Sequence, residues 1–360
     1  MASRDPNIDL IRASAIGLVL VHHIAQYLPL LSETAHRFAS LGGHGVDLFF
    51  VLSGWLIGRL YWLEAQSYGS VNILRFWARR WFRTVPPYLF VLPIAFAAVH
   101  LSRGEPFHWS YLIFLQNYQE KIPFFLVSWS LCVEEHFYLF LPIVLLLIAR
   151  LRVPMRVALP VLVLLGSIAR FADPAALPGE AFGYSETASH LRLQGLVLGV
   201  WFAHLSVFHT SAWSAVQGWF ARLLLPLSVG FLTIPYWSQW SVYYLGPTYV
   251  SLLCGSVLAA LTAAPPLRIA AWRSTHYLAL MSYSIYLTHS IVINVCIQLT
   301  DRAHITRELA APLWLALILL VGFATYAIVE RSALLYRDRM VPRRGGTSRA
   351  IAHPLFRASS

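Results

Sequence analysis

The stretch Asp9-Leu10-Ile11-Arg12-Ala13-Ser14-Ala15-Ile16-Gly17-Leu18-Val19-Leu20-Val21-His22-His23-Ile24-Ala25 is a long apolar run with one arginine near its start and two histidines near its end. A helix needs about 20 mostly apolar residues to cross the hydrocarbon core of a bilayer. A cleavable leader has an uninterrupted apolar centre, and Arg12 inside the run with His22-His23 at its end is unlike that. The run reads as a first membrane span over about 9–30.

The same ruler gives nine more spans, at about 44–63, 85–101, 124–149, 155–171, 190–207, 213–234, 242–263, 276–298 and 312–331. Composition agrees. The 360 residues are 58% hydrophobic, 14% aromatic and only 12% charged, against about 25% charged in a soluble domain. A soluble globule and a disordered chain are both excluded by that balance. A disulfide scaffold is excluded too, because Cys132, Cys254 and Cys296 all lie in apolar stretches and are too few. The expected fold is all-α: a polytopic helical membrane protein of about ten transmembrane helices. One integral membrane domain fills 1–341, and 342–360 is expected to be a basic, flexible cytoplasmic tail.

The formal charge is +11, and Lys121 is the single lysine among 27 basic residues. Placement decides what the charge means. Arg75, Arg79, Arg80 and Arg83 follow the second span, Arg150, Arg152 and Arg156 the fourth, and Arg268 and Arg273 the eighth; seven more run from Arg331 to Arg357. Arginine marks the cytoplasmic side. Ten spans put these segments on one face with the amino end and Arg4, while Asp173, Glu180, Glu186, Asp301 and Glu308 fall opposite. Both termini are expected in the cytoplasm of a bacterium, the chain crossing its inner membrane. The expected partner of the charge is the lipid bilayer, not nucleic acid.

An ionisable group inside a span costs several kcal/mol and points to function. Those here are Asp9, Arg12, His22, His23, Asp47, Glu134, Glu135, His136 and His289. Each also has a bland reading, as a snorkelling residue or an interhelical hydrogen bond. Arg12 and His23 are eleven residues apart, which puts them on one helix face about 16 Å apart. Asp9 is placed to hold Arg12 from three residues earlier. An arginine at the cytoplasmic mouth suits phosphate, and a histidine at mid-depth can take and return a proton. Glu134 falls at similar depth and could orient that imidazole; Glu135 and His22 read as structural. Cys132 and His136 form an i,i+4 pair, weaker as a nucleophile dyad than as ordinary packing. No His or Cys spacing fits a metal. In Gly42-Gly43-His44-Gly45-Val46-Asp47, Asp47 stands where an acceptor hydroxyl could reach it, or simply bonds the local backbone. The arginines from Arg75 to Arg83 make an anion-binding face or only the topology signal.

Taken together these blocks resemble the membrane acyltransferase-3 family. Arg12 and His23 match its Arg-x10-His pattern, and Gly45-Val46-Asp47-Leu48-Phe49-Phe50-Val51-Leu52-Ser53-Gly54 its second-helix block. Arg79-Arg80 with Arg83, Pro86 and Tyr88 resembles its basic loop. Trp129-Ser130-Leu131 with Glu134, Phe137 and Tyr138, and Ser282-Tyr283-Ser284-Ile285-Tyr286-Leu287-Thr288-His289, resemble two later blocks. The resemblance implies O-acyl transfer from cytoplasmic acyl-coenzyme A, acetyl above all, to a hydroxyl of an envelope polysaccharide, glycolipid or other glycoside. It implies His23 as base or acyl relay, with Arg12, Glu134 and Asp47 in the catalytic set. Arg79, Arg80 and Arg83 would meet coenzyme A, and Ser53, Tyr138 and His289 the substrates. Gln194 and Thr288 depart from the pattern, and the soluble domain fused to some relatives is missing, so a second transfer step is expected to need a separate extracytoplasmic protein or not to occur. The rival reading is a proton-coupled transporter or flippase of a lipid-linked sugar or acyl compound, which the buried charges alone favour equally. The acceptor, acyl length and oligomeric state are not legible.

Overall fold

The computed structural model describes residues 5–173 and 183–342; Arg4, Glu180 and the expected tail from 343 onward lie outside the described residues. The α-helices in chain order are α1 (Pro6–Ala25), α2 (Glu33–Ser40), α3 (Gly45–Tyr68), α4 (Ile73–Arg103), α5 (Trp129–Arg150), α6 (Met155–Ala172), α7 (Tyr184–Thr187), α8 (Gln194–Phe208), α9 (Thr210–Phe231), α10 (Gln239–Ala263), α11 (Arg273–Arg302), α12 (Arg307–Thr325) and α13 (Arg331–Met340). No strand occurs among the described residues. Each expected span corresponds to a helix; α2, α7 and α13 are short additions. Eight stretches are long and apolar enough to cross a membrane. Outside those eight, α8 is apolar but only 15 residues long, and α9 has 22 residues that include Gln217 and Arg222.

Close helix packing here depends on small residues, because lipid offers no hydrophobic drive for one helix to seek another. A Cβ on Gly54 would lie 2.0 Å from the Leu196 carbonyl oxygen, and one on Gly199 2.2 Å from that of Val51. The backbones of α3 and α8 therefore touch. At the start of α3, a Cβ on Gly45 would lie 2.4 Å from the Ala15 carbonyl oxygen, so α1 is drawn in as closely. Beyond these, α10 packs on α9 and α3, and α11 packs on α1 and α12. Rows of large apolar side chains stay exposed, such as Leu89, Phe90 and Ile94 on α4 and Leu164, Leu165 and Ile168 on α6. Such faces suit hydrocarbon, not water.

Two segments depart from expectation. The arginines from Arg75 to Arg83 are helical: α4 starts at Ile73, twelve residues ahead of the expected span. Asn72 caps it by accepting the Arg75 amide at 2.9 Å, and the Glu64 carboxylate takes the Asn72 amide and the Arg75 guanidinium. At the other end of the chain, α12 runs through a π-helical turn (Tyr326–Glu330) into α13. Glu330 on that turn is buried and accepts the Ser284 hydroxyl at 2.6 Å.

Candidate active site

A cavity of about 980 Å³ lies between α1, α3, α4, α5 and α11. Its wide end, lined by Asp5, Tyr68 and Arg75, sits where α3 ends and α4 begins. Because α4 is already helical at Arg75, its arginines recur at three- and four-residue intervals, the spacing that places side chains on one face. Arg79, Arg80 and Arg83 all line the cavity, and Arg12 of α1 lines it from across. Their partners differ. Arg79 is tied to the Asp338 carboxylate at 2.8 Å and to the Val341 carbonyl. Arg80 spreads over the Tyr138 ring, 5.5 Å from its centroid. Among the described residues, no carboxylate is ion-paired with Arg12, Arg80 or Arg83. Asp9, Glu134 and Glu330 supply opposite charge only from electrostatic reach. Asp9 itself pairs with His276 at 3.1 Å.

Deeper in the cavity, Ser53 Oγ donates to Glu134 Oε1 at 2.7 Å, and Tyr138 stands beside them. Glu135 is buried and does not line the cavity, so Glu134 is the carboxylate on that side. The inner wall is Tyr286, with Phe49 and Ser130. The Tyr286 hydroxyl donates to the Val127 carbonyl at 2.9 Å and meets Ser130 Oγ at 2.7 Å.

Behind that wall the His289 ring lies 5.5 Å from Tyr286, and the His23 ring packs edge-on against His289 at 4.7 Å. Neither histidine lines the cavity. The described contacts of His23 are with His22, His289 and the Val19 carbonyl, so its ring neighbour is His289, while Glu134 is engaged with Ser53. His23 Nδ1 lies 2.9 Å from the Val19 carbonyl oxygen and His289 Nδ1 2.7 Å from that of Tyr286. A carbonyl only accepts, so each neutral ring carries its proton on Nδ1 and holds Nε2 as a bare lone pair.

Asp47 lies apart from the cavity. It is buried with one oxygen 3.0 Å from Arg192 and the other 2.9 Å from His44, and Arg192 lies over the Trp129 ring. That arrangement braces the start of α3 against the segment leading into α8. Gln194 donates its amide to the Gly166 and Leu191 carbonyls. Cys132 and His136 do not pair: the thiol meets the Ser128 carbonyl, and His136 Nδ1 lies 2.6 Å from Ser189 Oγ. Sequence reading gave no role to Arg192, Tyr286 or Glu330. Glu330 left a faint signal, a carboxylate next to Arg331 at the end of the last apolar run.

Comparison with known proteins bears on these residues as a set. The family described as an acyltransferase domain matches residues 5–330. The chain is similar to peptidoglycan O-acetyltransferase OatA of Listeria monocytogenes, 25% identical over 355 residues that make up 91% of this chain and 54% of that one. It is also similar to O-acetyltransferase OatA of Staphylococcus aureus, 32% identical over 157 residues, 39% of this chain and 24% of that one. This chain thus spans about half the length of the Listeria relative. No solved structure matches it. Since the family's match takes in both the arginine-lined cavity and the His23–His289 pair, and reaches Glu330, the chain belongs to the acyltransferase-3 family.

Proposed function

We propose that this protein is a membrane-embedded O-acyltransferase, moving an acetyl or similar acyl group from cytoplasmic acyl-coenzyme A to a hydroxyl of an envelope polysaccharide or glycolipid. The observation that carries the reading is the cavity lined by Arg12, Arg80 and Arg83, none of them ion-paired to a carboxylate among the described residues. Half-buried cations that no carboxylate bonds directly retain part of their desolvation cost, and a bound polyanion relieves it. Guanidiniums recognise phosphate through paired, charge-assisted hydrogen bonds. Coenzyme A brings several phosphates on a long arm that ends in the thioester. With the phosphates at the arginines, the arm runs toward Ser53, Glu134 and Tyr138. The thioester reaches the Tyr286 wall and passes that ring to meet the histidines behind it.

His23 then serves as the base for the acceptor hydroxyl or carries the acyl group. Arg12, on the same helix, ties the donor's position to that histidine. The name of the Listeria relative supports an envelope glycan as acceptor, and the exposed apolar faces support residence in the cytoplasmic membrane of a bacterium.

The test follows label from acetyl-coenzyme A into glycans and lipids, using membranes that carry wild type or His23→Ala at equal protein level. Label is expected in a glycan-bearing fraction with wild type, and at background with the variant. Equal incorporation would remove His23 from the chemistry. No incorporation by either, across several acyl donors with acceptor present, would overturn acyl transfer in favour of a carrier.

A further inference from the structure

Beyond the donor site, the two imidazoles behind Tyr286 pose a question of their own. His289 is fully buried on α11, and its Nε2 has no hydrogen-bond partner. An unsatisfied buried polar atom costs roughly 1–3 kcal/mol, so such an atom asks for a reason. Its Nδ1 is fixed as a donor by the Tyr286 carbonyl, so the ring cannot turn its lone pair elsewhere without losing that bond. His23, 4.7 Å away, is held in the same tautomer by Val19. Each neighbouring histidine has one ring nitrogen engaged, although His22 Nδ1 is also buried without a partner. Gln26 Nε2 lies 2.9 Å from His22 Nε2 and donates to it, and His44 Nδ1 is held by Asp47. Two adjacent imidazoles therefore each keep the δ nitrogen on a backbone carbonyl and leave the ε nitrogen without a described partner, with no carboxylate bonded to either among the described residues.

We infer that His289 is a second catalytic base, which takes the acceptor's proton while His23 carries the acyl group. The inference rests on acyl transfer from acyl-coenzyme A. In the first step, His23 Nε2 attacks the thioester carbonyl; the N–C bond forms, the C–S bond breaks, and coenzyme A leaves as its thiolate. The acyl-imidazolium keeps its Nδ1 proton on the Val19 carbonyl. In the second step, the acceptor oxygen attacks the acyl carbon; the C–O bond forms, the C–N bond breaks, and the hydroxyl proton passes to His289 Nε2. His289 then returns that proton to the thiolate, so thioester and alcohol become ester and thiol with nothing left over. A lone His23 could not do this, because its only open nitrogen holds the acyl group when the hydroxyl arrives.

The test uses the full chain in membrane vesicles with their native acceptor pool and labelled acetyl-coenzyme A, comparing wild type, His289→Gln, His289→Asn and His23→Ala. Thiol release is followed by rapid mixing, since Cys132, Cys254 and Cys296 are buried and contribute little signal. His289→Gln is expected to release one thiol per chain in a burst, gain the mass of one acetyl group, and then pass label to acceptor about 100-fold more slowly or worse, the usual range for a lost general base. His23→Ala is expected to show no burst. The burst in His289→Gln also shows that the variant is folded. Transfer within a few-fold of wild type would overturn the inference. So would loss of burst and transfer together in both the Gln and Asn variants, which would make His289 structural. If wild type itself transfers no label, the donor reading falls, a result distinct from both.

Discussion

Arg80 and Arg83 stand three residues apart on α4, so both guanidiniums reach the same region of the cavity, whereas Arg79 is already neutralised by Asp338. A hydrogen bond to a charged group contributes about 1.5–3 kcal/mol, and 1.4 kcal/mol is tenfold in affinity. Replacing Arg80 or Arg83 by alanine should therefore raise the KM for acyl-coenzyme A roughly ten- to a hundredfold, with Arg79→Ala clearly weaker. Steady-state kinetics at varied donor concentration checks the order; an Arg79 effect equal to the other two would put the phosphates nearer α13. Glu134→Gln keeps the shape and the bond from Ser53 while removing the charge, so kcat should fall with little change in KM. A change in KM alone would make Glu134 a binding residue only. Arg12 and Glu134 were legible in the sequence because ionisable groups stand out in apolar runs, Ser53 and Tyr138 only through the family resemblance, and each of the four lines the cavity. Arg192 and Glu330 were not. Their partners Asp47 and Ser284 lie 145 and 46 residues away, and only the packed bundle brings them together. The open ε nitrogen of His289 is likewise a product of burial, which no spacing announces.

Helix α3 shows what decides an element in this molecule. Its glycines look permissive in sequence, yet their positions against α8 leave no room for a methyl group: Gly54 is 2.0 Å from the Leu196 oxygen once a Cβ is added. Overpacking of that kind costs about 1–3 kcal/mol. Gly54→Ala should thus lower the melting temperature in detergent by several degrees and, through Ser53 beside it, reduce activity. Gly17→Ala is the control, because nothing lies within 4 Å of a Cβ there; alanine is the better helix former by about 0.5–1 kcal/mol, so stability should hold or rise. Equal loss in both would mean that glycine matters for flexibility and not for contact. The helices behind all ten expected spans were readable because hydrocarbon thickness sets a length that apolar counting detects, although eight stretches among the described residues are long and apolar enough to cross. The start of α4 was not, because counting stops at Arg83, while the helix begins where Asn72 and Glu64 satisfy its first amides. That shift turned an expected loop into the face that presents the arginines.

Across the whole molecule, the arginine-lined cavity has Tyr286 in its wall and the histidine pair outside its lining, and the orientation of the chain determines what each meets. Arg12 of α1, Arg75, Arg79, Arg80 and Arg83 of α4, and Arg337 of α13 all line the cavity, and the positive-inside rule expects such a cluster on a cytoplasmic face. The segment before α5 and the one before α8 then lie outside, laced together by Asn117, which donates to the Thr187 carbonyl and to Ser189. Two single substitutions read this directly. Glu120→Cys falls on the outer segment and Val153→Cys on the turn between α5 and α6, and both residues are exposed. The native cysteines are buried and give a low background to a membrane-impermeant maleimide. In intact cells Glu120→Cys should react while Val153→Cys stays silent until the membrane is opened. The reverse pattern would place the arginine cavity outside, away from any pool of acyl-coenzyme A, and the donor reading would fail even though every distance in the cavity stood. Labelling of both in intact cells would mean that an even number of crossings, here none, separates Glu120 from Val153, and α5 would then lie along the membrane surface instead of through it.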